Sequence, residues 1–292
     1  MCPLPYIPPS FPGELLSSWL RRIAAEYGLE LQYLAKHIGM SVSRACAIDD
    51  ALSAGDLWRI AVALRTHPAE LRDMMYRPRT RALRAATPLQ ICRQCQRHHR
   101  TATHLPVAIR AWFEFWQIEC QDCKLPFSPA GAVNLARCNP VREHPAWFEG
   151  LRPAARNGAR LLAKSARYPY GGGISPTAVL RLVSMRFDAA HCLVADRDLP
   201  ARFATRRLVE LFVPGLSERA EDDLIPEPWT SKKPLRLVTA RTILLAGMSS
   251  FLRDHRHGLS LIQSAIAYVD HRHLRPLLIG MGATIGGQRT FP

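Results

Sequence analysis

Apolar residues recur with a helical period through the first quarter of the chain. From Glu14 onward they return at spacings of three and four, which gives each segment one apolar face. Gly28 and Gly39 follow the first two segments and are expected to end them. Short helices joined by glycine turns are typical of helix-turn-helix domains, and a generic helical bundle fits the pattern equally well. The helical segments predicted here are 14–27, 31–38, 41–51, 57–64 and 68–75.

The rest of the chain also favours helices, apart from a cysteine-rich middle. The pattern predicts a mainly α fold with three domains: residues 1–88, 89–150 and 151–292. The first is a helix-turn-helix-like domain preceded by a proline-rich arm, which is expected to lie extended along the surface. The second is a small zinc module, and the third is a helical domain. The third domain's predicted helices are 153–166, 175–187, 200–212, 235–252, 259–268 and 271–281.

Four cysteines carry the strongest chemical signal. Cys92 and Cys95 form one C-x2-C pair, Cys120 and Cys123 form a second, and 24 residues separate the pairs. Two such pairs supply the four thiolates of a closed tetrahedral zinc site. Because four thiolates leave no open coordination position, the single Zn²⁺ is expected to be structural. A redox dithiol needs only one pair, and unrelated thiols are the remaining alternative.

Other ring-bearing residues lie around the cysteine pairs. His98, His99 and His104 could substitute as metal ligands, but they are expected to be solvated or phosphate-facing histidines on a basic loop. Aromatic side chains also fall between the two pairs, and packing around the metal is favoured over base stacking for them. These are Trp112, Phe113, Phe115 and Trp116.

The charge of the chain narrows the choice of partner. It has 39 Lys and Arg against 24 Asp and Glu, a formal net charge of +15, which indicates a polyanionic partner such as double-stranded DNA. Two stretches concentrate the bases, and for the second of them a merely solvated face is the alternative. The candidate DNA-binding residues are Arg77, Arg79, Arg81, Arg84, Arg93, Arg97 and Arg100 in the first, and Arg152, Arg156, Arg160, Lys164 and Arg167 in the second.

Several function classes find no support in the sequence. No segment is long and apolar enough to cross a membrane, and the first residues lack the features of a signal peptide, so we expect a cytoplasmic protein. Phosphate-loop, zinc-protease and nucleophile-elbow motifs are missing from the sequence. Asp196 and Asp198 could pair as metal carboxylates, but they favour a helix cap. We therefore expect a protein that is not an enzyme.

The opening residues resemble those of TniQ proteins. In that family a proline-rich segment precedes a glutamate and a helix with a Ser-Trp-Leu and an Arg-Ile/Leu-Ala motif; a zinc module follows. The first zinc knuckle resembles Cys92–Cys95, and Trp112 stands eight residues before Cys120, as in the family. Cys123 replaces a frequent histidine, and Cys138 is single where a further pair is common, so only one zinc is expected. The matching motif residues are Glu14, Ser18, Trp19, Leu20, Arg22, Ile23 and Ala24.

The resemblance implies a role in DNA transposition. TniQ proteins act in target selection or as accessory factors of mobile elements, beside a separate transposase and an AAA+ ATPase, and do not cut DNA. A homodimer is a further candidate assembly. A helix-turn-helix transcription regulator and a protein-binding scaffold without DNA contact remain the alternatives. Tight, sequence-specific binding to a palindromic operator would favour the transcription regulator. Binding to protein partners that does not change with salt concentration or with added DNA would favour the scaffold.

Overall fold

The computed structural model describes residues 3–41, 45–50, 52–76, 85, 87–130, 143–167, 175–184, 208–216 and 238–259. Within these ranges the chain is mostly helical, as predicted, and none of their helices is long and apolar enough to cross a membrane. The chain divides into two compact units, residues 1–130 and 131–292. The predicted three-domain division stays a prediction. Asp196 and Asp198, Cys138 and the predicted helix 271–281 lie outside the described residues.

The first unit begins with five helices that follow the apolar pattern closely. Gly28 and Gly39 adopt the left-handed backbone conformation directly after the first two, with φ of 65° and 73°, so they end these helices as expected. Helix α3 follows α2 in the chain, with residues 42–44 outside the described residues, and the helix-turn-helix arrangement stays a prediction. The helices are α1 (Leu16–Glu26), α2 (Leu31–Ile38), α3 (Ala45–Asp50), α4 (Ala54–Leu64) and α5 (Pro68–Asp73).

These helices bury one shared core. Helix α1 packs against α2 and α3, while α4 packs against α2 and α5. The side chains at the centre of the core are almost completely shielded from solvent, and they come from the apolar faces that the spacing predicted. Representative members are Leu20, Ile23, Leu34, Ile48 and Ile60.

The cysteine-rich part of the first unit combines short elements. Strand β1 (Gln90–Ile91) pairs antiparallel with β2 (Ser128–Pro129), helix α6 (Arg93–Ala102) follows β1, and a 3₁₀ turn spans Arg110–Trp112. The strand pair and α6 were not predicted, because two-residue strands carry no periodic signal and α6 presents mostly polar residues. The expectation of a basic loop at His98 and His99 is wrong, since both lie within α6.

The proline-rich arm has no regular structure, as expected, but part of it is buried. Leu4 and Pro8 are shielded from solvent. The Leu4 backbone N–H donates to the Ala63 carbonyl at 3.0 Å, and the Trp19 indole N–H donates to the Pro8 carbonyl at 2.8 Å. The arm is therefore bonded to both α1 and α4.

A buried ion pair joins the arm to α1. Arg22 donates two hydrogen bonds to the Glu14 carboxylate, at 3.0 and 2.7 Å, and a third to the Pro9 carbonyl at 2.7 Å. The Ser18 hydroxyl and the Phe11 backbone N–H also donate to Glu14. With Glu14 1% and Arg22 5% exposed, both charges lie in the interior and have their hydrogen bonds there.

The same region of the arm is bonded to the cysteine-rich part. The Leu15 backbone N–H donates to the Ala108 carbonyl, and the Ala108 N–H donates in turn to the Ser18 hydroxyl at 3.0 Å. The Arg110 N–H donates to the Gly13 carbonyl at 2.9 Å. The helical and cysteine-rich parts of the first unit are consequently held together by backbone bonds around Glu14.

The second unit is organised around one helix. Helix α9 (Val238–Arg253) packs against α7 (Pro145–Arg167), α8 (Pro176–Val183) and a 3₁₀ turn, Leu208–Leu211. Most residues of α9 are buried, including both polar and apolar ones.

Helix α7 starts earlier than the sequence suggested. The prediction that Pro153 begins this helix is wrong, because the helix begins at Pro145 and contains Pro153. The added turns carry Phe148, which is buried, and Trp147, whose indole N–H donates to the Pro214 carbonyl at 3.0 Å. This packing within the second unit explains why the chain is helical from Pro145 onward, although Pro145, Gly150 and Pro153 do not favour a helix there.

Glycine lets α7 and α9 approach closely. A Cβ added at Gly158 would lie 2.3 Å from the backbone oxygen of Leu245, an atom that cannot move without separating the helices. Gly150, on the same helix, would meet nothing within 4 Å.

We predict opposite effects for the same substitution at these two positions. Gly158→Ala should lower the free energy of unfolding by about 1–3 kcal/mol, because the methyl group overpacks the crossing. Gly150→Ala, the matched control, should raise it by about 0.5–1 kcal/mol through helix propensity. Urea unfolding followed by circular dichroism measures both, and equal stabilisation by the two variants would contradict the close crossing.

A buried acid bonds to the first turn of α1. The Asp49 carboxylate accepts hydrogen bonds from the backbone N–H and the hydroxyl of Ser17. Burial raises the pKa of Asp49 from 3.8 to about 6, although the bonds from Ser17 and the charge of Arg21 oppose the rise. Between about pH 4 and pH 6 the folded chain therefore binds this proton more tightly than the unfolded chain does, and stability falls as the pH rises.

We expect Asp49→Asn to remove this pH dependence. Relative to the wild type, the variant's free energy of unfolding should increase by about 2–3 kcal/mol between pH 4 and pH 7, because the amide never ionises. Urea unfolding across this pH range measures the difference. Glu26→Gln, an exposed acid-to-amide change on α1, is the control. A pH-independent difference between Asp49→Asn and the wild type would rule out the effect.

Candidate metal centre

The first cysteine pair spans the beginning of α6. Cys92 is the residue before the helix, and Cys95 lies in its first turn, so helix geometry directs both side chains to the same end. The second pair lies on a tight turn, in which the Lys124 N–H donates to the Cys120 carbonyl and the Cys120 N–H donates to the Leu125 carbonyl. Lys124 has a φ of 57°, which closes this turn in the left-handed conformation.

The structure brings all four predicted sulfur ligands together. The Sγ atoms of Cys92, Cys95, Cys120 and Cys123 lie within 4.8 Å of one another. Cys95 Sγ is 3.6 Å from Cys120 Sγ and 3.4 Å from Cys123 Sγ. A tetrahedral site with Zn–S bonds of about 2.3 Å requires sulfur separations of roughly 3.8 Å. The four cysteines thus form a cluster that could hold a metal ion.

Because the thiols lie so close together, the pKa values of Cys92 and Cys95 shift in opposite directions. Burial, together with hydrogen bonds among the thiols, raises the pKa of Cys95 far above its ordinary value. Burial opposes ionisation of Cys92 as well, but hydrogen bonds from the backbone and thiol of Cys95 outweigh it and lower the pKa of Cys92. Without a cation, four thiolates cannot coexist in this space, whereas a metal ion would stabilise all four.

The aromatic side chains between the two cysteine pairs pack in the interior, as predicted. Trp112, Phe113, Phe115 and Trp116 are between 1% and 8% exposed, which leaves no ring face for stacking on bases. Gln90 supports the segment that carries them, because its side-chain amide donates to the Ala111 and Gln117 carbonyls at 2.8 and 2.7 Å.

One of the three histidines departs from the expectation. His99 is 7% exposed, and its ring centroid lies 4.4 Å from that of Phe11 and 6.0 Å from that of Trp112. The expectation that it is solvated is therefore wrong, and its burial lowers its pKa. His98 and His104 are exposed, and among the described residues the cluster that could hold a metal ion contains only cysteines.

The first group of candidate DNA-binding bases is partly described. Arg93, Arg97 and Arg100 are exposed on α6 at spacings of four and three, so they share a face of the helix that begins at the cysteine cluster. We call these three residues the α6 basic face. Arg77, Arg79, Arg81 and Arg84 lie outside the described residues.

The second group lies along α7. Arg156, Arg160 and Lys164 are exposed at successive spacings of four, and we call them the α7 basic face. Arg152 is half-buried and forms an ion pair with Glu149 at 3.3 Å. Arg167 is the last residue of the helix, and its side chain is outside the description.

Comparison with known proteins places part of the chain in a family. Residues 5–119 match the family model of TniQ, which confirms the resemblance predicted from the sequence over that range. The match contains the Glu14 network and the first cysteine pair and ends just before Cys120. No curated protein and no solved structure matched the chain.

We predict that the cluster, and no other cysteine, determines metal binding. Purified chain should contain about one tetrahedrally bound metal ion, and Cys120→Ser should lose most of it because three thiolates no longer close the site. Metal analysis and the absorption spectrum of the cobalt-substituted protein measure this. Cys192→Ser removes a cysteine that belongs to neither C-x2-C pair and is the matched control. Equal metal loss in both variants would count against the site.

Proposed function

Because residues 5–119 form a TniQ domain, the mark of transposition accessory proteins, we propose that this chain is a zinc-stabilised DNA-binding adaptor. It would act in target selection or accessory steps of DNA transposition, beside a separate transposase and an AAA+ ATPase. The chain itself would not cut DNA. The adaptor would work in the cytoplasm, where cysteine thiols stay reduced.

The α6 basic face carries the proposal for DNA. Its three exposed arginines stand on the helix whose first turn holds Cys95, so the metal would fix the helix that presents them. The guanidinium groups of Arg93, Arg97 and Arg100 can each bind a backbone phosphate through two hydrogen bonds. Contacts of this kind give affinity and position on a duplex without reading its sequence.

Zinc is the metal that the donor set favours. Four thiolates at tetrahedral separations select Zn²⁺ or an iron site, and the cluster has no open position for a substrate or water. The ion would hold a segment that has little regular structure between α6 and β2. Its role would therefore be structural.

The α7 basic face supports a second set of phosphate contacts. Arg156, Arg160 and Lys164 repel one another at a spacing of four, which costs roughly 0.2–0.5 kcal/mol per pair. An anion bound along the helix relieves this repulsion. Because Arg152 is already paired with Glu149, we propose a smaller contribution from that residue.

Binding to random-sequence duplex DNA, titrated with salt, tests the proposal. The logarithm of the affinity should fall linearly with the logarithm of salt concentration, with a slope of about −0.9 per phosphate contact. Arg93→Ala with Arg97→Ala should make the slope shallower by about 2, and so should Arg156→Ala with Arg160→Ala.

The matched control removes two bases that belong to neither face. Lys36→Ala with Arg72→Ala changes the net charge equally at exposed positions on α2 and α5 and should leave the slope unchanged. If the control variant makes the slope equally shallow, the effect comes from the net charge of the protein and not from the two basic faces. Absence of binding at about 100 mM salt and micromolar protein would favour a scaffold that binds only proteins, and a homodimer would then be sought first.

A further inference from the structure

The outward side of α4 differs from an ordinary helix surface. Trp58 is 61% exposed, the largest exposed fraction among the bulky apolar side chains of the described residues. Val62, which is half-buried, and Arg65, which is exposed, follow Trp58 at spacings of four and three, so the three positions lie on one side of the helix. We call these three residues the α4 face. The outward side of a helix is normally polar, and exposed apolar surface of this kind is typical of an interaction site.

The charged groups on and beside α4 leave one arginine available. The only acid of this helix, Asp56, is buried, and its carboxylate accepts hydrogen bonds from two serine hydroxyls and from Arg59 at 3.1 Å, so Arg59 is already paired. The next acid along the chain, Glu70, accepts a hydrogen bond from the Thr66 hydroxyl. Among the described residues, none forms a hydrogen bond or an ion pair with the guanidinium of Arg65. The α4 face therefore offers an unpaired cation beside exposed apolar surface.

The backbone of Arg65 indicates that an arginine is unfavourable for folding at this position. Arg65 follows the last residue of α4 with a φ of 50°, the left-handed conformation that glycine adopts without strain. Gly28 and Gly39 adopt this conformation after α1 and α2. Glycine would stabilise the end of α4 in the same way, and the arginine side chain forms no bond with the described residues that would offset the strain. A strained and exposed side chain of this kind is more readily explained by binding than by folding.

We propose that the α4 face binds a segment of a partner protein that carries an acidic and an apolar side chain. The carboxylate pairs with the Arg65 guanidinium through two hydrogen bonds, and the apolar side chain packs on Trp58 and Val62. Trp58 and Arg65 are seven residues apart, about 10 Å along the helix axis. The two side chains of the partner are therefore about two turns apart on a helix, or about three residues apart on an extended segment.

Duplex DNA fits this face less well than a protein segment does. The DNA backbone supplies phosphates, but it offers little apolar surface to cover Trp58 and Val62, and a single available arginine gives few phosphate contacts. Tryptophan and arginine are also the residues in which the binding energy of protein–protein interfaces is concentrated. The proposal is independent of DNA binding by the α6 and α7 basic faces.

Selection from a phage library of random peptides tests the face on the full-length chain. The peptides have about 16 residues, which is enough for four turns of helix. Peptides retained by the wild type but not by Trp58→Ser should carry Asp or Glu and a large apolar residue at one of the two proposed spacings. Because Trp58 is mostly exposed, this variant should keep the urea midpoint of the wild type. Tyr33→Ser removes an aromatic side chain that is 58% exposed on α2, and this matched control should retain the same peptides.

Substitutions of Arg65 then separate binding from folding, with the tightest selected peptide as a synthetic probe. Arg65→Gly should raise the urea midpoint, because glycine relieves the left-handed strain, and yet weaken peptide binding about tenfold. Arg65→Glu keeps the strain and reverses the charge, so it should weaken the peptide further and bind a copy of it in which lysines replace the acids. Arg21→Ala removes an exposed base of α1 and is the charge control, which should leave the affinity unchanged.

Four results would contradict the proposal. Selected peptides without acids would remove the role of Arg65, and so would equal affinity of the wild type and Arg65→Gly. If the wild type and Trp58→Ser retain the same peptides, or retain none, the face binds no such segment. If random-sequence duplex DNA displaces the peptide and Arg65→Gly makes the salt slope of DNA binding shallower, the face binds nucleic acid instead.

Discussion

The buried pair of Glu14 and Arg22 is the interaction on which the first unit depends. Removing one partner of such a pair typically costs about 3–5 kcal/mol, because the other charge is left in the interior. Here the cost would extend beyond the two side chains. The bonds of Arg22 to Pro9 and of Ser18 to Glu14 fix the arm against α1, and Ser18 also accepts the N–H of Ala108. One ion pair therefore positions three separate segments of the chain.

The cysteine cluster imposes the second constraint. Between α6 and β2 the described chain forms a three-residue 3₁₀ turn and takes part in two isolated bridges, Glu14 with Ile109 and Glu119 with Pro126, which is too little to place the second cysteine turn. Hydrogen bonds from the Gln90 side chain and from the arm hold this segment at one end, and the cluster holds it at the other. A bound metal would thus complete a segment whose other end is already fixed by Glu14 and its neighbours.

What the sequence could predict depended on local information. Apolar spacing predicted α1, α2, α4 and α5, since each of these helices buries one face, and cysteine spacing predicted which four sulfur atoms the fold brings together. The Glu14–Arg22 pair could not be derived from the pattern, because it forms only after the arm folds back across α1. His99 was mistaken for a solvated residue for the same reason: its neighbour Phe11 is distant in sequence. The early start of α7 arises from contacts of Trp147 and Phe148, which periodicity does not contain.

The charges of the first unit lie at two depths, and salt screens them to different extents. The α6 basic face is exposed, where salt screens charges within about 8–10 Å. The carboxylate of Glu114 and the unpaired nitrogen of His99 are enclosed, where screening is weaker. The Glu14–Arg22 pair, which holds the arm, is enclosed in the same way. Salt would therefore weaken a phosphate contact on α6 much more than it weakens the buried pair.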